Sequence, residues 1–196
     1  MNVPVPRLFV AAAIRLFLLV GAVGAPVAGI AESADFRLES PAVGKNGELP
    51  VEFTGDGAGV SPPLAWTNAP AGTRSLAVSM HHVDPEGRTK WYWTLYNIPA
   101  SVDHLEKNSR GVGTLGNNGI TRREGYAPPH SKGPGAKTYV ITLYALSAPL
   151  EMKEPPARVS REVLLAAMEG RILARADLRV NYTRPGKGDP RQGPPR

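Results

Sequence analysis

Three segments of this chain alternate apolar and polar side chains with a period of two, which is the pattern of half-buried β-strands. They are residues 74–80, 90–98 and 137–146. The third segment becomes apolar on both faces toward its end, so we expect it to lie in the middle of a sheet. The chain also has 21 glycines and 20 prolines, scattered rather than repeated. This composition favours short elements joined by shaped loops and therefore predicts a mainly β fold.

Shorter elements are predicted between and after these segments. Further strands are expected at residues 35–39, 51–53 and 178–182. One segment has helical periodicity instead, because Ser160 is a good N-cap and the residues after it form an apolar stripe. The stripe consists of Val163, Leu164, Ala167 and Met168. Gly170 would end this helix, or residues 172–174 would continue it after a kink.

Residues 1–31 are typical of a cleavable secretory signal. Arg7 and Arg15 are the only charges there, an apolar run covers residues 16–25, and residues 29–31 have the small side chains that a signal peptidase needs. The run is short for a bilayer span, and Arg15 would lie inside any longer span. We therefore expect an exported protein, periplasmic or secreted, without a stable membrane span. The chain has no cysteine, so we expect neither disulfides nor a lipid anchor on an N-terminal Cys.

The rest of the chain is predicted to form one domain at residues 32–183 and a basic tail at residues 184–196. The tail has no apolar side chain to bury, so we expect it to be disordered. The net charge of the chain is +6, but basic and aromatic residues are not interleaved as they are in nucleic-acid-binding proteins. We therefore expect no nucleic-acid partner.

Residues 108–137 have no periodicity and are mostly Gly, Asn, Pro, Ser and charged residues. A loop of this length in a compact domain is usually functional or disordered. Because it contains Tyr126, two consecutive prolines and His130, we expect a shaped functional loop.

The histidines are the first candidates for chemistry, and they are His81, His82, His104 and His130. If residues 81–84 end a strand, His82 and Asp84 point to one face and His81 to the other. Such a pair can bind a metal, orient an imidazole for base catalysis, hold an anion, or form a structural hydrogen bond at a strand end. A metal would need a third ligand, for which only His130 is an obvious candidate.

Common catalytic and cofactor motifs are missing from the sequence. It has no Gly-x-Ser-x-Gly elbow, and the glycine-rich residues 55–59 lack the lysine and the following helix of a phosphate loop. The sequence therefore shows none of these catalytic motifs, and we expect neither a cofactor nor a metal.

The run FTGDGAGVSPPLAW at residues 53–66 resembles a conserved stretch of the phosphatidylethanolamine-binding protein family, whose bacterial members are often called Raf kinase inhibitor-like proteins. Later landmarks follow in the order of the family and extend the resemblance over roughly residues 36–182. They are residues 75–78, Trp93, residues 97–100, 126–129 and 133–135, Tyr139 and residues 143–146. The resemblance implies a Greek-key β-sandwich with a short C-terminal helix and a shallow pocket for anions such as phosphate or phospholipid head groups.

In the family, that pocket is built from an Asp-Pro-Asp-x-Pro turn, two histidines and a loop with paired prolines. At the matching positions of this sequence, His82 stands where the family has the first Asp, and Tyr92 and Lys137 stand where it has the two histidines. It retains Asp84. The implied ligand-binding residues are His82, Asp84, Tyr92, Tyr126, Pro128, Pro129, His130 and Lys137. The substitutions remove one carboxylate and add a lysine, so the set is rich in donors for an anion.

The resemblance also implies a protein that is not an enzyme, because most members of the family bind ligands or regulate without established catalysis. Our leading prediction is therefore an exported, non-enzymatic binding protein that holds a small anion or a phospholipid head group. A protein–protein regulator, such as an inhibitor of an extracytoplasmic peptidase, is a second hypothesis, with residues 108–137 as its contact surface. The third hypothesis is a metal-dependent hydrolase using His82, Asp84 and His130.

Overall fold

A computed structural model of the chain describes residues 36–130 and 135–184. The predicted signal at residues 1–31, and the predicted tail beyond Arg184, lie outside the described residues. The described chain forms eight strands, one α-helix and two short 3-10 helices. The strands are β1 (Arg37–Glu39), β2 (Leu64–Thr67), β3 (Ser75–Val83), β4 (Thr89–Pro99), β5 (His104–Leu105), β6 (Thr114–Leu115), β7 (Ala136–Leu146) and β8 (Ile172–Thr183). The α-helix α1 spans Arg161–Met168, and the 3-10 helices span Val51–Phe53 and Pro156–Arg158.

The strands form two antiparallel sheets, one in the order β1-β2-β5 and one in the order β6-β4-β3-β7-β8. In the larger sheet, β3, β4 and β6 lie side by side in chain order. The chain between β4 and β6 contains β5, which pairs with β2 in the smaller sheet. The chain then returns so that β7 pairs with β3. The resulting order of β7, β3, β4 and β6 is that of a Greek key. The predicted mainly β Greek-key sandwich with a short helix near its C-terminal end is confirmed.

The main core lies between the two sheets, because one buried cluster contains residues from both. Leu64 and Trp66 of β2 belong to it together with Val78 of β3 and Leu143 of β7. The opposite face of the larger sheet is covered by α1, whose Leu164 and Met168 are fully buried in a second cluster. Ser160 caps α1 as predicted, since its hydroxyl accepts from the Val163 N–H at 3.3 Å.

The three long predicted strands are confirmed, and β7 lies between β3 and β8 as its apolar faces indicated. The strand predicted at residues 51–53 is wrong: this segment is a single 3-10 turn, in which the Phe53 N–H donates to the Pro50 carbonyl at 3.0 Å. Residues 172–174 do not continue the helix but begin β8. Gly170 separates the two elements with a φ of 71°, which glycine adopts without steric cost.

No helix in the described part of the chain is both long enough and apolar enough to cross a bilayer.

Candidate functional site

An open cavity of about 410 Å³ lies where the ends of β3, β4 and β7 meet the loop between β6 and β7. We call it the basic cavity. Its lining is formed by His82, Lys90, Tyr92, Gly119, Ile120, Pro128, His130, Lys137 and Tyr139. Four of these side chains are lysine or histidine, and none carries a carboxylate.

Strand pairing brings the polar lining together. His82 on β3 lies directly opposite Lys90 on β4. The β3–β4 register shifts between Met80 and His81, so Tyr92 has no direct partner on β3. A bulge of this kind re-aims a side chain next to a site. On β7, Lys137 and Tyr139 are two residues apart and therefore share one face of the strand.

The floor of the basic cavity contains two buried phenols, Tyr92 and Tyr139. Their rings meet edge to face with centroids 5.1 Å apart. Burial raises the pKa of Tyr92 and that of Tyr139 above the ordinary value of 10.0. Both groups are therefore neutral near pH 7 and act as hydrogen-bonding groups rather than as bases.

His82 is held by a backbone contact that determines its tautomer. Its Nδ1 lies 2.8 Å from the Thr138 carbonyl oxygen, which can only accept, so Nδ1 carries the hydrogen. The other ring nitrogen, Nε2, is buried and has no hydrogen-bond partner within the described residues. It becomes a donor only when the ring is an imidazolium. The neighbouring His81 lies on the opposite face of β3, where burial and then the charge of Arg161 lower its pKa.

Asp84 does not line the basic cavity but fixes one of its cations. β3 ends at Val83, and Asp84 begins the turn to β4. Its carboxylate accepts from the Arg88 backbone N–H at 2.8 Å and from the Arg88 Nε at 2.9 Å, and lies 3.3 Å from the Lys90 Nζ. Burial alone would raise the pKa of Asp84, but the hydrogen bonds from Arg88 and Lys90 outweigh it and lower the pKa to about 2. This carboxylate therefore orients Lys90.

Asp56 places a carboxylate near His130, although its hydrogen bonds go to other residues. Its carboxylate accepts from the Tyr182 hydroxyl at 2.6 Å and from the Arg184 Nε at 2.9 Å, and lies 3.8 Å from the His130 Nε2. His130 also packs directly on Gly55, where an added Cβ would approach the His130 Nδ1 to 2.2 Å. Only glycine leaves room for the imidazole in this position.

The loop between β6 and β7 is anchored at both places where it reaches the basic cavity. The Ala127 N–H donates to the Tyr92 carbonyl at 2.7 Å, which holds the segment with the paired prolines against β4. Gly119 lies flat against the Trp91 ring, and its N–H donates to the Trp91 carbonyl at 2.9 Å. The expectation of a shaped loop agrees with these contacts, while residues 131–134 lie outside the described part.

Five of the residues implied by the family resemblance line the basic cavity: His82, Tyr92, Pro128, His130 and Lys137. Three do not. Asp84 contacts Lys90 from behind, and Pro129 is buried with its carbonyl accepting from the Gly55 N–H at 2.8 Å. Tyr126 lines a separate cavity and donates its hydroxyl to the Phe53 carbonyl at 2.7 Å.

Sequence reasoning missed Lys90, Gly119, Ile120 and Tyr139. Two of them left a signal in the sequence. Lys90 follows a short turn after His82, so hairpin pairing could have placed the two side chains opposite each other. Tyr139 is two residues after Lys137 on the same strand. Gly119 and Ile120 lie in an irregular loop, whose path no periodicity shows.

His82, Asp84 and His130 do not form a metal site in this arrangement. Among residues 36–130 and 135–184, no group of three His, Cys, Asp or Glu side chains is placed to hold a metal ion.

Comparison with known proteins agrees with the fold and its landmarks. The chain matches the family model described as phosphatidylethanolamine-binding protein over residues 39–183. A UPF0098 protein of Methanothermobacter thermautotrophicus is 33% identical over 152 residues, which cover 76% of this chain and 99% of that protein. The crystal structure of a putative phosphatidylethanolamine-binding protein homolog, CT736 of Chlamydia trachomatis, matches with a TM-score of 0.70 and 29% identity. That match covers 78% of this chain and 100% of the other. A partial match is the putative lipoprotein LppC of Mycobacterium tuberculosis, 31% identical over 120 residues, 61% of this chain and 58% of that protein.

The fold and the site define a mainly β protein with a basic cavity at one end of a Greek-key sandwich. The chain belongs to the phosphatidylethanolamine-binding protein family.

Proposed function

We propose that this chain is an exported, non-enzymatic binding protein that holds a small anion in the basic cavity, either free phosphate or the phosphate of a phospholipid head group. The observation that carries the proposal is the lining itself: two lysines, two histidines and two phenols surround an open space of about 410 Å³, without a carboxylate among the described lining residues. Such a set attracts negative charge and supplies hydrogen-bond donors from several sides.

The two lysines differ in how available they are to a ligand. The charge of Lys90 is partly balanced by Asp84, whose carboxylate lies 3.3 Å from the Lys90 Nζ. Lys137 makes no ion pair with any described residue. We therefore assign the main attraction for the anion to Lys137, with Lys90 as an oriented second cation.

Several features favour binding over catalysis. The phenols of Tyr92 and Tyr139 have raised pKa values and stay neutral, so neither is an effective base near pH 7. Two carboxylates contact lining residues, and both are engaged: Asp84 by Arg88 and Lys90, and Asp56 by Tyr182 and Arg184. Among the described lining residues, neither a free carboxylate nor a phenolate is therefore available as a general base.

Titration calorimetry tests the anion assignment, with phosphate and phosphoethanolamine as the proposed ligands and sulfate as a simple tetrahedral dianion that stands in for them. We expect Lys137→Ala to weaken sulfate binding by about tenfold, as expected for loss of a charge-assisted hydrogen bond. Lys153→Ala, which removes an exposed lysine that lines neither cavity, serves as the matched control and is expected to bind normally. An absence of binding heat for the unaltered protein, or equal affinity of Lys137→Ala, would contradict the proposal.

Export is proposed from residues 1–31, with their two arginines, apolar run and small residues before position 32. The similarity to a putative lipoprotein supports this location, although this chain has no cysteine that could carry a lipid. N-terminal sequencing of protein recovered from a cell-envelope or medium fraction is expected to begin close to residue 32. Recovery of full-length chain only from the cytoplasm would rule out export.

A further inference from the structure

The accessible side chains of the basic cavity are mostly basic. Lys90 and His130 are half-exposed, and Lys137 is partly exposed. A bound molecule therefore touches positive charge on the two lysines and a ring that adds to it when protonated. Such groups bind the oxygens of a phosphate through charge-assisted hydrogen bonds.

A cationic group in the same space has no carboxylate to bind among the described lining residues. The two carboxylates that contact the lining from outside already have partners. Asp84 accepts from the Arg88 Nε at 2.9 Å. Asp56 accepts from the Tyr182 hydroxyl at 2.6 Å. An ammonium group would therefore lie beside two lysines without a negative charge to balance it, which is unfavourable.

Two backbone carbonyls at the basic cavity are engaged as well. The Tyr92 carbonyl accepts from the Ala127 N–H at 2.7 Å. The Thr138 carbonyl accepts from the His82 Nδ1 at 2.8 Å. Both carbonyls therefore hold the cavity wall together rather than accept from a ligand.

The two tyrosines of the lining offer no open ring face for a cation. Tyr139 is 1% exposed and Tyr92 is 8% exposed. The ring of Tyr139 is also contacted by that of His82, with the two centroids 5.3 Å apart. A cation–π contact requires the cation to lie over an accessible ring face, and these phenol rings are buried. The positive charge of the accessible lysines is therefore the feature that decides what the cavity accepts.

The basic cavity is larger than a phosphate ion requires. An enclosed cavity of roughly 150 Å³ holds benzene, so a space of about 410 Å³ has room for a phosphate together with a small organic group. Ile120 contributes an exposed apolar side chain to the lining. The carbon atoms of such a group can pack against it.

We propose that the basic cavity selects organic phosphates without an ammonium group, such as hydroxyethyl phosphate or the head group of phosphatidylglycerol, over zwitterionic phosphates such as phosphoethanolamine. Selection between the two classes presupposes the anion binding proposed above. One uncompensated like-charge contact at the cavity weakens the zwitterion by about fivefold.

Two esters of equal size measure this selection by calorimetry on the unaltered chain. Hydroxyethyl phosphate and phosphoethanolamine have the same number of non-hydrogen atoms and differ in a hydroxyl against an ammonium group. At about pH 8 both phosphates are dianions, because their second pKa is about 6. We expect hydroxyethyl phosphate to bind about fivefold more tightly than phosphoethanolamine.

One added carboxylate in the lining is expected to abolish the preference. Ile120→Glu should lower the ratio of the two affinities from about five to about one, because the new carboxylate balances the ammonium group. Ile120→Gln, of the same size but neutral, should keep the ratio. Val83→Glu is the matched control, since Val83 is 51% exposed against 45% for Ile120 and lies outside the lining. Each ratio compares two ligands on the same protein, so a partial loss of folded material does not change it.

Flotation with phosphatidylcholine vesicles that contain phosphatidylglycerol separates a lipid from a soluble ester as the source of the phosphate. Flotation that hydroxyethyl phosphate competes away indicates a lipid, and ester binding without flotation indicates a soluble ester; both agree with the selection. Equal flotation with vesicles that contain phosphatidylethanolamine instead would contradict it.

Failure of the selection is distinguishable from failure of the anion assignment. If neither ester binds, the anion assignment itself is wrong. If the unaltered chain binds both esters equally, or if Val83→Glu loses the preference as Ile120→Glu does, the selection is overturned while the anion assignment stands. A preference that survives in Ile120→Glu overturns it as well.

Discussion

Asp84 occupies a position that the family resemblance assigns to the ligand pocket, but its carboxylate contacts Arg88 and Lys90 instead. The pKa of Asp84 is lower in the folded protein than in the unfolded chain, where it has the ordinary value of 3.8. The charged Asp84 therefore stabilises the fold at pH values above 3.8. This contribution is lost as the pH falls toward about 2.

The substitution Asp84→Asn is expected to have two opposite effects at neutral pH. It lowers the stability of the fold, since the charge on Arg88 and Lys90 loses its partner. It also tightens sulfate binding by about threefold, because a negative charge beside the cavity is removed. Urea denaturation across pH 7 to pH 2 and calorimetry check both effects. A stability difference that persists unchanged at pH 2 would contradict the assigned role of the carboxylate.

Gly55 does not line the basic cavity, but it determines the position of His130, which does. A methyl group at this position would overlap the imidazole of His130, so Gly55→Ala is expected to displace that ring and weaken sulfate binding severalfold. In the double variant with His130→Ala the overlap is gone, and the affinity should equal that of His130→Ala alone. Calorimetry on the two single variants and the double variant gives a double-mutant cycle. If the two substitutions reduce the sulfate affinity additively, Gly55 does not act through His130.

At the scale of elements, the alternation of side chains was enough to predict β3, β4 and β7, because one face of each lies in the core. Short elements were less predictable. Residues 51–53 contain two apolar side chains and were predicted as a strand, but Pro50 and Thr54 close them into one turn.

The candidate site was predictable only where its residues lie on these long strands or next to the paired prolines. Tyr126 was assigned to the site with its neighbours in the loop. Its position is instead determined by a hydrogen bond to Phe53, 73 residues earlier in the chain. Asp56 is likewise engaged by Tyr182 and Arg184, more than a hundred residues later. Contacts between residues so far apart in the chain cannot be predicted from the spacing of residues within a short segment.

Asn97 connects β4 to the segment before α1. It has a φ of 55°, and its side-chain amide both donates to the Leu150 carbonyl at 2.9 Å and accepts from the Leu150 N–H at 2.8 Å. Asn97→Ala is expected to cost about 2–4 kcal/mol in the free energy of unfolding, since it loses both hydrogen bonds and keeps the unfavourable φ. Asn97→Gly should cost about 1 kcal/mol less, because glycine accepts that φ.

Urea denaturation checks this prediction, with Asn108→Ala as the matched control. Asn108 has a similar φ of 57° but no side-chain hydrogen bond among the described residues, so its replacement removes only the backbone preference. Equal losses for Asn97→Ala and Asn108→Ala would show that the contacts to Leu150 add no stability.

At the scale of the whole molecule, the two sheets and α1 enclose two buried clusters that share the larger sheet. Strands β3 and β7 lie between neighbours on both sides and contribute to both clusters, whereas β5 and β6 are two-residue strands at sheet edges. We expect backbone amides of β3 and β7 to exchange with solvent most slowly, at the rate of global unfolding, and those of β5 and β6 to exchange first. Hydrogen exchange followed by mass spectrometry measures this order. Protection in β6 equal to that in β7 would contradict it.

The contact between Gly119 and Trp91 has a practical consequence for the whole protein. Gly119 forms part of the wall of the basic cavity, and its Cα side lies flat on the indole ring behind it. Any ligand that presses on this wall also changes the surroundings of a natural fluorophore that is itself partly exposed. We therefore expect occupancy of the cavity to change the fluorescence of Trp91, so that unlabelled protein reports its own bound state.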